Sequence, residues 1–468
     1  MNTFNYTTSR RRMLKMAGCG FGYLALSSLL SNLGNVVAAQ SPLAAKTPPL
    51  AAKAKRIIFL FMHGGPSHVD TFDHRPLLAR DAGKPLPKSL VVGSSDPNGK
   101  LMPSPFEFKK HGQGGVEISE IWPELATCAD DLCVVRSMHT NGQDHGQAVL
   151  KLHTGAETQL RPSMGAWVIY GLGTENQNLP GFITISPPQF NGGVQNYGSA
   201  FLPAVYQGTP IGRAEGRLTD AQIRHIKNLE FKPDAQRQQI DFLQQLNRDH
   251  LKQANADLQI EGIIESYELA FRMQAEAPGI TDFSEETEAT RKLYGIDETP
   301  TDTFGRQCLL ARRFAERGVR FIQVSHAFKW DQHQELTRDH RRNAREVDKP
   351  IAGLLKDLKA RGLLKDTLVL WGGEFGRTPT GQGNDGRDHN PHAFSIWMAG
   401  GGVKPGFTYG STDDYGNAAV VDKVHMHDLH ATLLHLLGLD HQSLTFRHGG
   451  RDYRLTDVHG NVVKPIVG

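Results

Sequence analysis

The stretch "RIIFLFMHGG", Arg56–Gly65, joins an apolar run to a pair of glycines. Residues 57–62 are all apolar, which is typical of a strand covered on both faces of a mainly parallel sheet. Histidines, a serine and two aspartates follow at once, between His63 and Asp73. This order predicts a buried strand whose carboxyl end is followed by a loop of side chains that can bind ligands or take part in catalysis.

Five further apolar runs predict strands of the same sheet: Leu132–Val135, Phe182–Ile185, Val319–Val324, Thr367–Trp371 and Phe394–Met398. Between two of these runs, Asp348 with Pro350 predicts a helix start, and Gly362 predicts its end. A helix that links two buried strands predicts a crossover between parallel strands. The predicted fold class is therefore α/β, with a mainly parallel central sheet covered by helices.

The N-terminus reads as an export signal. Residues 1–39 contain the consecutive pair Arg10 and Arg11, a short apolar stretch and a small-residue exit, which predicts the twin-arginine route. Residues 40–54 are rich in proline and alanine and predict a flexible linker. Residues 55–468 then form one domain, with a helical insertion at about 218–316. The expected location is the periplasm or the outside of the cell.

The charge of the mature chain excludes some partners. Residues 1–39 carry four basic and no acidic residues, so their removal changes the net charge from +3 to −1. We therefore expect no nucleic-acid partner, and contact with a membrane only during export. The sequence makes no prediction about the oligomeric state.

Ligand-type residues follow several of the predicted strands. In an open α/β sheet, ligands bind beyond the carboxyl ends of the strands, and carboxylates with imidazoles form the ligand set of Zn²⁺, Mn²⁺ or Fe. An arginine beside such a set, Arg377 or Arg387, would bind an oxyanion. The other residues of this kind are His63, Ser67, Asp70, Asp73, His139, Asp144, His145, His326, Asp331, His333, Glu374, Asp385, Asp388, His389 and His392.

Structural alternatives apply to several of these residues. Asp70 and Asp73, taken singly, would more often cap a turn than bind a metal. The histidines of "HMHDLHATLLH" at 425–435 are expected to serve packing. The loop "WDQH", Trp330–His333, is different, because four ligand-capable or interfacial residues in one loop favour a functional role.

Seven motifs, in order, resemble the domain of unknown function 1501 family over nearly all of residues 55–467. They are "LFMHGGPSHVDTFDHRP", "RPSMGAWVIYGLG", "WDQH", "GLLKDTLVLWGGEFGRTP", "GRDHNPHAFSIWMAGGGVKPG", "HDLHATLLHLLGLDH" and "GRDYRLTDVHG". The resemblance implies an exported, sulfatase-like protein with the sandwich fold of the alkaline phosphatase and sulfatase superfamily. It also implies one or two divalent metal ions, with Zn²⁺, Mn²⁺ and Ca²⁺ as candidates.

The resemblance implies roles for individual residues. Asp70 is similar to the acid that follows the first strand, and Asp331 with His333 resembles the later Asp/His pair. Glu374 stands where another acid is expected, and Phe375 replaces the usual histidine beside it. His389 resembles the late histidine, with Asp388 and His392 as neighbours; His63 completes the candidate metal ligands.

The nucleophile of the sulfatases has no counterpart, since no Cys/Ser-x-Pro-x-Arg stretch occurs. Ser67 or Thr140 could serve instead, or water activated at a metal could attack directly with His145 as the base or as a ligand of the substrate. The leading expectation is an exported metal-dependent hydrolase of phosphate or sulfate esters, glycan esters included, in which Arg377 steadies the oxyanion. The alternative is a non-catalytic glycan- or protein-binding member of the same fold.

Overall fold

A computed structural model describes residues 41–91, 96, 98–213, 231–253 and 258–468 of the chain. The expected export signal at 1–39 lies outside these described residues, as does part of the expected helical insertion. In the described residues, no helix combines the length and the apolarity that a membrane crossing requires.

The strands include all six that the sequence predicts. Their bounds are β1 (Arg56–Met62), β2 (Phe108–His111), β3 (Val116–Ser119), β4 (Leu132–His139), β5 (Phe182–Ile185), β6 (Thr209–Ile211), β7 (Phe321–His326), β8 (Thr367–Gly372), β9 (Gly376–Gln382), β10 (Gly386–Asn390), β11 (Phe394–Ala399), β12 (Phe407–Tyr409), β13 (Ser411–Thr412), β14 (Ala419–Val421), β15 (Val424–His425), β16 (Phe446–His448) and β17 (Arg451–Tyr453).

One large sheet dominates the described part of the chain. Its strand order is β12-β4-β11-β8-β1-β7-β5-β6, with β15 paired to β4. Strand β1 is parallel to both β7 and β8, and β5 is parallel to β6 and β7. Only β11 among these strands runs antiparallel to its neighbours, β4 and β8. The predicted mainly parallel α/β sheet is confirmed.

Helices cover both faces of the sheet. Their bounds are α1 (Pro76–Arg80), α2 (His145–Thr154), α3 (Met164–Leu172), α4 (Pro233–Gln253), α5 (Leu258–Thr281), α6 (Glu288–Leu293), α7 (Asp302–Glu316), α8 (Leu336–Ala360) and α9 (Met426–Leu436). Because successive side chains of a strand point to opposite faces, Ile58, Leu60 and Met62 pack with α7 and α8. Phe59 and Phe61 pack with α3 and α9 in a second core. This arrangement explains why β1 is apolar throughout.

The crossover from β7 to β8 passes through α8, as predicted, but the helix starts earlier than predicted. It begins at Leu336 and contains Pro350 in its interior, so Asp348 does not mark its start. The buried stripe continues upstream through His340 and Asn343, whose polar character hid the helical period. The end is as expected, with Gly362 at φ +69° just beyond Ala360.

The segment expected to be a flexible linker is part of the folded domain. One compact unit extends from Pro42 to Gly468. Leu43 and Ala54 are buried, and the backbone N–H of Lys53 donates to the carbonyl of Leu436 at 2.8 Å. Apolar side chains such as Leu43 bind this proline- and alanine-rich segment to the core.

Candidate metal centre at the carboxyl edge of the sheet

The carboxyl ends of the central parallel strands lie level at one edge of the sheet. In the pairing register, Met62 lies opposite His326 and Phe61 lies opposite Gly372. Strand β4 runs in the same direction as β8, since β11 is antiparallel to both. The loops after β1, β4, β7 and β8 therefore meet at one edge, where open α/β sheets bind ligands.

Four side chains from these loops and from β9–β10 converge on one oxygen, Asp331 Oδ1. The Nε2 atom of His333 lies 2.9 Å from this oxygen, and the Nε2 atoms of His145 and His389 each lie 3.2 Å from it. Arg377 Nη2 approaches the same oxygen to 2.7 Å. Three imidazoles and one carboxylate thus share a single point.

The other nitrogen of each ring is held by an oxygen acceptor. Because a carboxylate or a carbonyl only accepts hydrogen bonds, an Nδ1 atom that faces one carries the proton, and the Nε2 lone pair of the neutral ring then points at Asp331. The pairs are His145 Nδ1 with Glu374 Oε1 at 2.7 Å, His389 Nδ1 with the carbonyl of Gln143 at 2.8 Å, and His333 Nδ1 with the amide oxygen of Gln382.

The electrostatics of the cluster are dominated by the charge of Asp331 and by the cationic groups beside it. Burial alone would raise the pKa of Asp331, but the hydrogen bond from His145 and the charge of Arg377 hold it far below its usual range. Burial lowers the pKa of His145, yet its bonds to Asp331 and Glu374 outweigh burial and raise that pKa to about 9. In the absence of a metal, His145 is therefore an imidazolium.

Glu374 connects this cluster to the first strand. Its carboxylate is fully buried and accepts hydrogen bonds from the backbone N–H of Gly64 at 3.0 and 3.2 Å. Gly64 has φ +117°, and a Cβ there would lie 2.7 Å from the backbone nitrogen of Asp331. The glycine is therefore required because two backbone segments touch.

Arg377 is a positioning group, and the expected oxyanion role is not what the geometry supports. Its side chain is 0% exposed. The guanidinium donates to the carbonyls of Gly64, Gly65, Trp330 and Arg387 as well as to Asp331. With its donors occupied in this way, Arg377 fixes Asp331 and the loop after β1.

Asp70 and Ser67 do not join the cluster. Asp70 forms a bidentate pair with Arg387, at 2.7 and 3.2 Å, in which both side chains are fully buried. The hydroxyl of Ser67 donates to the same carboxylate at 2.5 Å. Arg387 also donates to the carbonyls of Thr378, Pro379, Met102 and Pro103. This pair fastens the loop after β1 to β9 and β10, so the expected metal-ligand role of Asp70 and nucleophile role of Ser67 do not fit their geometry.

The remaining predicted site residues flank the cluster or lie apart from it. His63 is buried beside it, and burial lowers its pKa to about 4; its Nε2 lies 3.1 Å from the Asn191 amide. Asp388 Oδ1 lies 3.8 Å from His333 Nδ1. Thr140 is buried, with its N–H bonded to Pro391. His392 is half-buried and bonds through its backbone to Asn390 and Ala419.

Aromatic rings border the cluster on the side of β5 and β7. The Phe328 ring contacts His145 at 4.9 Å and His63 at 4.7 Å between centroids. Phe190 packs on Phe328 at 5.3 Å and is 45% exposed. Sequence reasoning missed these rings, the backbone carbonyl of Gln143 that faces His389 and the side-chain amide oxygen of Gln382 that faces His333. The position of Phe190 five residues after β5 was the one available signal.

The histidines at 425–435 behave as expected for packing. His427 Nε2 and His430 Nε2 lie 2.8 Å from the carbonyls of Gly155 and Leu152, respectively. His425 caps α9 by accepting the N–H of His427 through its side chain. These rings connect α9 to the end of α2.

The fold and the site define a mainly parallel α/β protein with an imidazole–carboxylate centre at the carboxyl edge of its sheet. The chain belongs to the family described as "Protein of unknown function (DUF1501)", whose model matches residues 54–467. None of the curated proteins compared with the chain matches it.

Solved structures similar to the chain include three hydrolases or related enzymes. They are the lipoteichoic acid synthase LtaP from Listeria monocytogenes (8% identity, 89% of this chain and 78% of that chain, TM-score 0.40), the phosphonate monoester hydrolase SpPMH from Silicibacter pomeroyi (12%, 88% and 76%, TM-score 0.37) and the PsFucS1 sulfatase from Pseudoalteromonas sp. (12%, 84% and 68%, TM-score 0.36). Such distant likeness assigns no chemistry to this chain.

Proposed function

We propose that the chain is an exported hydrolase of phosphate or sulfate esters that depends on a divalent metal ion, with glycan esters among its substrates. The observation that carries this proposal is the convergence of three imidazole Nε2 atoms on Asp331 Oδ1. The ester class is supported by the ordered motifs of the domain of unknown function 1501 family, which more distantly resembles the alkaline phosphatase and sulfatase superfamily.

The residues fit a metal ion of the zinc type. His333 Nε2 and His389 Nε2 lie only 3.0 Å apart, and two lone pairs that face each other at this distance are stabilised by a shared proton or by a metal ion. In a tetrahedral zinc site with bonds of about 2.1 Å, neighbouring donor atoms lie about 3.4 Å apart, and the three Nε2 atoms lie 2.9–3.2 Å from Asp331 Oδ1. Among the described residues, His145, Asp331 and His389 form one group of donor atoms within 4.8 Å of one another, and His333, Asp388 and His389 form a second. The nitrogen-rich donor set favours Zn²⁺ or Mn²⁺ over Ca²⁺, which prefers about six to eight oxygen ligands.

The chain's own residues hold this centre in one geometry. The residues that would hold the ion are His145, Asp331, His333 and His389, and Glu374 orients the ring of His145. When bound, an ion of this class polarises an ester oxygen and lowers the pKa of a coordinated water. Arg377 keeps Asp331 ionised and fixed, which lowers the cost of assembling the site.

The nucleophile in this proposal is water. Ser67 is fully buried and its hydroxyl is bound to Asp70 at 2.5 Å; Thr140 is buried as well. In hydrolysis, the water oxygen forms a bond to phosphorus or sulfur while the bond from that atom to the ester oxygen breaks. One water proton passes to the leaving alcohol.

The aromatic border supports an organic leaving group such as a sugar. Phe190 and Phe328 form an apolar wall beside His145, and Phe190 presents much of its ring to solvent. Aromatic faces pack well on the apolar faces of rings while polar neighbours bind hydroxyl groups. A substrate without a ring would gain no such contact from Phe190 and Phe328.

Export to the periplasm or the cell exterior is part of the proposal and rests on the sequence of residues 1–39. Fusing these residues to a reporter that must fold before export tests the route. Replacing Arg10 and Arg11 by lysine should stop export, and continued export of that double variant would refute it.

Metal quantification combined with an ester panel tests the proposed function. Purified wild type should contain about one equivalent of zinc or manganese per chain. It should hydrolyse a phosphomonoester, a phosphodiester or a sulfate ester, and Asp331→Ala should lose both metal and activity. A wild-type protein that binds metal but hydrolyses none of the esters would instead support the non-catalytic binding alternative.

A further inference from the structure

Helix α8 carries four arginines on one face, outside the candidate metal centre. Arg338, Arg341, Arg342 and Arg345 are spaced i, i+3, i+4 and i+7, so they share one side of the helix. We refer to them as the arginine stripe. With a rise of about 1.5 Å per residue, the stripe extends over about 10 Å. A single oxyanion is shorter than this.

The arginine stripe lines an open cavity of about 800 Å³, together with Gln334 and Asp385. The rest of the lining consists of the acidic Glu335, the apolar Pro300 and the uncharged polar side chains of Thr299, Thr337 and Asn384. A cavity of this size holds a ligand as large as a drug molecule or a short oligosaccharide. Its chemistry is cationic along one wall and hydrogen-bonding along the others.

The guanidinium groups of the stripe have donors to spare. Arg338 and Arg342 share Asp339 on the surface, and Arg341 contacts Glu120 at 2.7 Å. Exposed pairs of this kind contribute little free energy, and each guanidinium has five N–H donors. In the described part of the chain, the exposed Arg345 side chain makes no ion pair or hydrogen bond.

The nearby carboxylate of Asp385 is already engaged. It accepts the backbone N–H of Leu336 at 2.7 Å and that of Thr337 at 3.3 Å. These bonds fix the loop at the start of α8 and offset the negative charge. The second carboxylate of the lining, that of Glu335, pairs with Arg338, so an anion in the cavity would meet arginine donors rather than an unpaired carboxylate.

The cavity and the candidate metal centre share one wall. Gln334, which lines the cavity, directly follows the ligand His333 in the chain. Gly386 packs against the same segment so tightly that a Cβ there would lie 1.9 Å from the carbonyl oxygen of His333. One residue of the cavity lining and one residue of the candidate metal centre are therefore neighbours in the same loop.

We infer that the arginine stripe is a subsite for a second anionic group of an oligosaccharide that carries repeated sulfate or phosphate groups. This inference rests on the proposed function, because the first ester group is the one that reacts at the metal centre. Planar guanidinium forks bind tetrahedral oxyanions through two parallel hydrogen bonds, and Gln334, Thr337 and Asn384 offer partners for sugar hydroxyls.

Binding without turnover tests this inference. The probe is an oligosaccharide with one sulfate per sugar, and calorimetry measures its binding to wild type, R345Q and R341Q/R345Q. The uncharged parent oligosaccharide and a polyphosphate of equal charge are the comparison ligands. K88Q/K365Q is the matched control, since it removes two exposed positive charges elsewhere.

The double variant should bind the sulfated probe about tenfold more weakly, since two charge-assisted contacts worth about threefold each are lost. R345Q, which has no intramolecular partner to lose, should show about a threefold loss. The control should match wild type. Equal losses in control and double variant, or tighter binding of polyphosphate than of the sulfated probe, would overturn the inference. This experiment measures binding and not hydrolysis, so its result can be interpreted even if the protein hydrolyses none of the esters.

Discussion

Replacing Asp331 by asparagine keeps the shape of the side chain at the centre of the cluster and removes its charge. Asp331 Oδ1 is the common partner of His145, His333, His389 and Arg377. An amide at this position is a poor ligand for a zinc-type ion and a poor partner for a buried guanidinium. Both metal affinity and stability should therefore fall.

The two effects have different sizes. Loss of a residue that only orients a ligand costs about 10–100-fold in metal affinity, so loss of the anionic ligand should cost about 100-fold or more. Removal of one partner of a buried ion pair costs about 3–5 kcal/mol. Asp331 is 22% exposed, and Arg377 keeps its carbonyl partners, so we expect about 2 kcal/mol in the metal-free protein.

Competition with a chromophoric chelator measures the zinc affinity, and denaturant unfolding with excess chelator measures the metal-free stability. D366N is the matched control. Asp366 is 18% exposed and pairs with Lys55 and Arg56 at 3.1 and 3.2 Å, but it lies before β8, at the opposite edge of the sheet. D366N should lose stability and keep its zinc affinity. If D331N binds zinc within threefold of wild type, Asp331 is not a ligand.

Three further outcomes follow from the same contacts. Glu374→Gln should lower zinc affinity about tenfold in the chelator competition, because the anion that orients His145 is lost while the hydrogen bonds can persist; an unchanged affinity would contradict that role. In the metal-free protein, the protonated ring of His145 stabilises the fold fully below its ordinary pKa of 6.5, and this stabilisation is lost as the pH rises through about 9. Because the ring is protonated near neutral pH and must lose a proton to bind zinc, zinc uptake there should release about one proton. Calorimetry in two buffers of different protonation enthalpy counts that proton, and none released would refute the pKa shift. Asp70→Asn should lower the free energy of unfolding by about 3 kcal/mol, because Arg387 is left buried without its anionic partner, and its zinc affinity should stay unchanged. A variant with normal stability but lower zinc affinity would show that Asp70 is a ligand.

Sequence patterns predicted the sheet because buried parallel strands are apolar on both faces, and β1, β7 and β8 have this signature. They placed the start of α8 wrongly because His340 and Asn343 are polar residues on its buried face. Burial of such residues depends on partners far away in the chain. His340, for example, accepts the N–H of Ser67 at 3.0 Å.

The site was predictable as a location but not as a set of contacts. Strand ends pointed to Asp331, His333, Glu374 and His389, because a parallel sheet gathers its carboxyl ends at one edge. The neighbours of Asp331 in its loop favoured a functional role, but nothing local to Asp70 showed that its carboxylate pairs with a buried arginine. That pairing depends on the β9–β10 hairpin, which brings Arg387 to Asp70 and Arg377 to Asp331.

The central claim is that His145, Asp331, His333 and His389 together hold one divalent ion. Crystals grown with zinc and measured on both sides of its absorption edge locate that ion without reference to activity. We expect one strong anomalous peak within bonding distance, about 2.1 Å, of the three Nε2 atoms and of Asp331 Oδ1. A cluster without a peak in zinc-saturated crystals, or a peak at the Asp70–Arg387 pair instead, would contradict the claim.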